Sequence, residues 1–168
     1  MTAYATLDDL AQAATGGWSE LAQRAAPSPL VDGPLMQATA SASDRSAWDA
    51  EACEQADAAL VRLQDALDRA SRHADTYLFP RYRGAMPLSA ELVQGSDLPS
   101  VVAAIALKRL YGTSVPEDVR KGTQWADDYL RDLSRGTVSL GGADTAVAQS
   151  AGRVMHRAPP RTFDLSSF

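Results

Sequence analysis

The chain has 168 residues, 45% hydrophobic and 22% charged, with a formal net charge of −5. That length suits one domain with an appended arm, and the apolar content supports a core, which excludes disorder for the bulk of the chain. The negative balance excludes a general nucleic-acid binder, which carries a basic face.

In chain order, "TLDDLAQAA" opens a short helix. Thr6 is placed to cap it, with Asp9 three residues later as in a capping box, and "TGG" ends it at Gly16 and Gly17. "WSELAQRAA" follows as a second short helix stopped by Pro27. "PSPLVDGPLMQATASAS" then carries three prolines and a glycine without a period. It reads as a long surface loop or insertion over residues 27–45, and long loops in compact domains tend to be functional or disordered.

The strongest element runs over residues 46–79. Ala56, Leu60, Leu63, Leu67, Ala70, Ala74 and Tyr77 recur at spacings of three and four, the apolar stripe of an amphipathic helix. Arg62, Asp65, Asp68, Arg69 and Arg72 fall on its other faces. At 1.5 Å per residue this is a rod of roughly 50 Å, which Pro80 is expected to end. Around Trp48 and Ala52 the rod has no cover among the elements read so far, which points to a helix that also serves neighbours.

"RYRGAMPLSAELVQGSD" reads as an irregular connection. Asp97 is then a candidate cap and Pro99 suits a first turn. "SVVAAIALKRLYG" is nearly apolar over two turns, so it is a central helix closed by Gly112. In "SVPEDVRKGTQWADDYLRDLSRG" Ser114 and Glu117 have capping-box spacing and Pro116 comes early. Val119, Ala126, Tyr129, Leu130 and Leu133 form the buried stripe, and Gly136 the stop. "TVSLGG" fits a short strand or an extended turn.

The expected fold class is all-α: a small helical bundle with one long amphipathic helix, a Pro-rich loop and an extended C-terminal arm. The helical domain occupies residues 1–142 and the arm 143–168. Within the arm, residues 150–168 hold three arginines against one aspartate, about +2, leaving about −7 on the rest. A basic arm on an acidic body suits docking on a partner. Its contact residues would be Arg153, Met155, Arg157, Arg161, Phe163, Leu165 and Phe168, apolar anchors interleaved with arginines. Pro159 and Pro160 favour an extended course.

Cys53 is the sole cysteine, so no internal disulfide forms, which fits a reducing compartment. No apolar run approaches the length of a bilayer span, and "MTAYATLDDL" lacks the basic and apolar regions of a signal peptide. Use in a cytoplasm, away from membranes, is the expectation.

Convergent catalytic groups are not evident. His73 and His156, the two histidines, sit in no metal-ligand spacing, and His73 and Asp75 do not share a helix face. Asp127 and Asp128 point apart; Asp128 and Asp132 form an i, i+4 pair that reads as a solvated face. Cys53 has no nearby histidine in sequence, and Gly141 and Gly142 open no evident helix for a phosphate. The expectation is a protein without catalysis, metal or cofactor. "YLFPRYRGAMPL" places Arg81, Tyr82, Arg83 and Met86 together as a second contact surface. A nucleic-acid reading would use the arginines for phosphates and Tyr82 for stacking, but the acidic body favours a protein partner.

The order of these segments resembles the head–tail joining proteins of Mu-like tailed phages. "YATLDDL", "ADTYLFPRY" followed by "MPLS", "LPSVVAAIALKRLYG" and "PEDVRKGTQWADDYLRDLSRGTVSLG" carry the resemblance, over residues 3–17 and 60–141. The closing "RTFDLSSF" is also similar to that family's tail. Where the family has a basic-aromatic pair in its last helix, this chain has "KGTQW", a departure at Trp125.

The resemblance implies a head–tail connector (adaptor) subunit that rings the underside of the portal, twelvefold as the portals of similar phages are. Its implied partners are the portal protein, neighbouring copies and a tail-side neck or terminator protein, with double-stranded DNA passing through without specific contact. Its implied place is the virion neck, and the host cytoplasm during assembly. Two alternatives from other classes are a small cytoplasmic helical regulator that binds a partner protein, and a hydrolase with carboxylates around Asp128 and Asp132.

Overall fold

The computed structural model describes residues 3–26, 28–141 and 144. Seven helices occupy these residues: α1 (Leu7–Ala13), α2 (Gly17–Ala25), α3 (Gly33–Ala40), α4 (Ala50–Tyr82), α5 (Ala90–Gln94), α6 (Leu98–Leu110) and α7 (Glu117–Arg135). The expected all-α bundle is what the chain forms, with no strand among the described residues. The arm, residues 143–168, lies outside them save for Asp144.

Local signals account for several boundaries. The Thr6 hydroxyl accepts from the Asp9 N–H at 3.2 Å, and the Asp9 carboxylate accepts from the Thr6 N–H at 2.7 Å, so the capping box forms as read. Pro99 sits in the first turn of α6, where its missing N–H costs nothing. Gly136 ends α7 with φ 76°, a left-handed conformation that lets its N–H and that of Thr137 close onto the Leu133 and Asp132 carbonyls. "TVSLGG" forms no strand in its described part, where the chain bends at Thr137, Val138 and Leu140.

Helix α6 is the centre. Residues 101–107 are all buried, and α6 packs against α1, α4, α5 and α7. A helix apolar on every face has to be enclosed on every face. Small side chains let its neighbours approach: Ala103, Ala104 and Ala106 on α6, and Ala56, Ala59, Ala70 and Ala74 on α4, are buried. The α4 stripe faces the core as its spacing requires, with Leu63, Leu67 and Leu78 among its buried residues.

Five expectations are corrected. The stretch over residues 27–45 is not a surface loop, because it contains α3, whose Leu35 and Met36 are fully buried. Asp32 caps α3 by accepting from the Leu35 N–H at 2.8 Å, and Pro34 occupies its first turn. Eight residues are too few for a period to show among the prolines at 27, 29 and 34. Helix α3 also packs on α2 and α4, so the start of the rod is covered: Ala52 is buried and Trp48 is half-buried against the core.

Pro80 does not end α4, which runs on to Tyr82. In the last turn a proline deletes one hydrogen bond only, and burial of Leu78 and Tyr82, one turn apart, holds that turn on the core. The connection after it is not wholly irregular, since α5 forms with Ser89 accepting from the Leu92 N–H at 3.3 Å. Ser114 caps nothing: α7 begins at Glu117 with Pro116 in the cap position, so Glu117 stands too early to close a box with Ser114.

One close approach orders the α2–α3 corner. A Cβ added to Gly33 would lie 2.4 Å from the Ser19 Oγ and 2.9 Å from the Ser19 backbone nitrogen. Only glycine lets α3 begin there.

Candidate interaction surfaces

The N-terminal segment is tied to the middle of α4. The Tyr4 N–H donates to the Ser71 Oγ at 3.1 Å, and the Tyr4 hydroxyl donates to the Asp75 carboxylate. Burial, then the hydrogen bond to Asp75 and its charge, raise the Tyr4 hydroxyl far above the ordinary phenol value, so it stays a donor. Beside this pair a cleft of about 1240 Å³ opens between the N-terminal segment, the end of α4 and the α5 region. Phe79, Met86, Pro87 and Val93 supply its apolar wall, and Asp9 and Asp75 are the charged residues lining it. Phe79 is 57% exposed, a large apolar side chain left open at this wall.

The structure divides the expected surface of Arg81, Tyr82, Arg83 and Met86. Tyr82 belongs to the core rather than to a contact surface: its side chain is fully buried and its hydroxyl donates to the Asp144 carboxylate at 2.5 Å. Burial first, then that hydrogen bond, push the Tyr82 hydroxyl up to about 12. Arg81 is turned inward as well. Its Nη1 donates to the Val138 carbonyl at 2.6 Å and its guanidinium lies 5.3 Å from the Tyr82 ring centre. Arg83 is exposed, and Met86 is half-buried at the cleft. Side-chain period cannot announce this inward turn, because the partners lie 57 and 62 residues downstream.

The arm set, Arg153, Met155, Arg157, Arg161, Phe163, Leu165 and Phe168, lies outside the described residues, as does His156. Two of the aspartates at and beside the pair weighed for hydrolysis have structural partners. Asp127 pairs with Lys108 at 2.9 Å and Asp128 with Arg131. Among the described residues no group of three His, Cys, Asp or Glu side chains is arranged to hold a metal. No helix among them is long and apolar enough to cross a membrane. Trp125 is 45% exposed on α7.

His73 is half-buried with its ring edge-on to Tyr77 at 5.3 Å. Burial, then the positive charge of Arg109, hold its imidazole below the ordinary value, with Asp127 opposing. A depressed histidine favours the folded state while neutral, so its contribution is complete above the unfolded value of about 6.5 and is lost as pH falls below it. Stability should therefore drop from pH 7.5 towards pH 5.5, and His73→Gln should flatten that drop in urea melts. An unchanged slope in the variant would sink this assignment.

Fold and surface together define an all-helical bundle protein with an open apolar cleft at one end of its longest helix. The chain belongs to the family described as Bacteriophage Mu, Gp36, which matches residues 4–157, and so is a phage structural or assembly protein. That match runs through α3 and into the arm. Comparisons with curated proteins and with solved structures give no match.

Proposed function

We propose that the chain is a head–tail connector subunit, one of a ring of copies between portal and tail. The observation that carries this reading is membership of the Bacteriophage Mu, Gp36 family over residues 4–157. The surface is compatible with it: Asp127 and Asp128 are paired with cations, and the exposed apolar side chains suit contact. In this reading the subunit works without catalysis, metal or cofactor. Its partners are the portal protein, further copies in a twelvefold ring and a tail-side neck or terminator protein. It assembles in the host cytoplasm and resides in the virion neck, where its acidic body lets duplex DNA pass without specific contact.

The test is direct imaging of virions carrying a labelled copy of the chain. Label in a ring at the junction of head and tail is expected. Absence of the chain from purified particles would favour the cytoplasmic regulator, and label confined to another part of the particle would place it elsewhere in the structure. Purified alone, the subunit is expected to be a monomer or a mixture that forms a complete ring on the portal. A stable dimer by light scattering, unaltered by added portal, contradicts this.

A further inference from the structure

We propose that the cleft beside α4 is the seat of the C-terminal arm, residues 153–168, and that in the free subunit each chain's arm fills its own cleft. Chemistry selects the occupant. The wall is apolar through Phe79, Met86, Pro87 and Val93, and the charged residues lining the cleft, Asp9 and Asp75, are both acidic. The arm interleaves Met155, Phe163, Leu165 and Phe168 with Arg153, Arg157 and Arg161, the complement in both respects. A cleft of about 1240 Å³ exceeds the roughly 300–1,000 Å³ of small-molecule pockets and suits a length of peptide chain.

Position selects whose arm it is. The Asp144 carboxylate accepts from the Tyr82 hydroxyl at 2.5 Å and from the Leu140 N–H at 3.1 Å, which pins the start of the arm to the end of α4. Phe79, on the cleft wall, stands less than one turn before Tyr82 on the same helix. Just upstream, a Cβ on Gly141 would lie 3.1 Å from the Gly95 carbonyl, so the chain passes against Gly95, whose neighbours Gln94 and Ser96 line the cleft. The arm thus departs beside the cleft mouth. From Asp144 to Phe163 is nineteen residues, a reach of up to roughly 65 Å, longer than the rod itself. A tether of this kind presents the arm at an effective concentration on the order of millimolar, above any neighbour's arm in dilute solution. Occupation of its own cleft would keep the arm's apolar anchors covered until a partner competes for them. The inference stands apart from the connector reading, since it concerns the chain alone.

A paramagnetic label tests it in the full chain. With Cys53→Ser and Ser166→Cys carrying a nitroxide, the methyl signals of Met86 and Met36 are compared before and after reduction of the label. Met86 should lose most of its intensity at any protein concentration. Met36 should keep its own, because α3 sits at the opposite end of α4, where Arg45 links Thr39 to Asp57. Adding Phe163→Ala should restore much of the Met86 signal. Mixing isotope-labelled chains with separate spin-labelled chains should leave Met86 unaffected. Broadening of Met86 only in the mixture would assign the cleft to a neighbour's arm, and broadening in neither sample would leave the arm elsewhere; either result overturns the proposal.

Discussion

Removing residues 153–168 is expected to leave a soluble, helical protein and to yield phage heads without tails. The expectation follows from what the described core contains. It closes without residues 153–168: Leu130, Leu133 and Leu140 are buried in the body, and Asp144 completes the Tyr82 contact before the deletion begins. In the proposed reading the arm's apolar residues serve an interface. Ordering such a segment costs backbone entropy, which anchor burial has to outweigh, so a few side chains carry the attachment. Phe163→Ala should weaken attachment to the partner by about 2 kcal/mol, roughly thirtyfold, while the body stays folded and helical. Infectious particles from the arm-deleted chain would show a tail that happens to contain phenylalanines.

The second large effect is expected inside the body, at α3. Leu35 is fully buried, and truncating it leaves a cavity between helices that cannot close without shifting α2 and α4. Leu35→Ala should cost about 2–5 kcal/mol in urea or thermal unfolding. A surface loop over the same residues would tolerate the change within about 0.5 kcal/mol. Unfolding curves of the single variant thus distinguish a core helix from a decorative insertion. A loss this large, set against a total stability of about 5–15 kcal/mol, would also lower the yield of folded protein.

How much was legible in the sequence depended on how local each signal was. The capping box at Thr6 and Asp9 involves residues three apart and formed as read. The stripe on α4 repeats over some nine turns, so it survived misreading at both ends. The first turns of α6, apolar on all faces, announced a central helix because no single-sided packing can bury them. By contrast α3 and α5, of eight and five residues, are too short for a period to rise above their prolines and glycines. The Asp32–Pro34 start signal was present in "DGPLM" and was outweighed by the surrounding loop-formers. Of the contact surface over residues 81–86, the residue types were plain but their direction was not. Tyr82 and Arg81 turn inward to Asp144 and Val138, while Arg83 stays exposed and Met86 lines the cleft.

By itself, then, the sequence determined the class of fold, the identity of the long and central helices, and the acidic body with its basic arm, because period, capping and charge are written within a few residues. The tertiary structure decided the rest. Gly33 admits α3 only because Ser19 lies against it, and Pro80 is carried through because Leu78 and Tyr82 find a core to enter. The cleft exists only where Tyr4, Asp75 and Met86 meet. These are contacts between residues distant along the chain. Their energies depend on which surfaces the packed helices bring face to face, and no window of neighbouring residues contains that information.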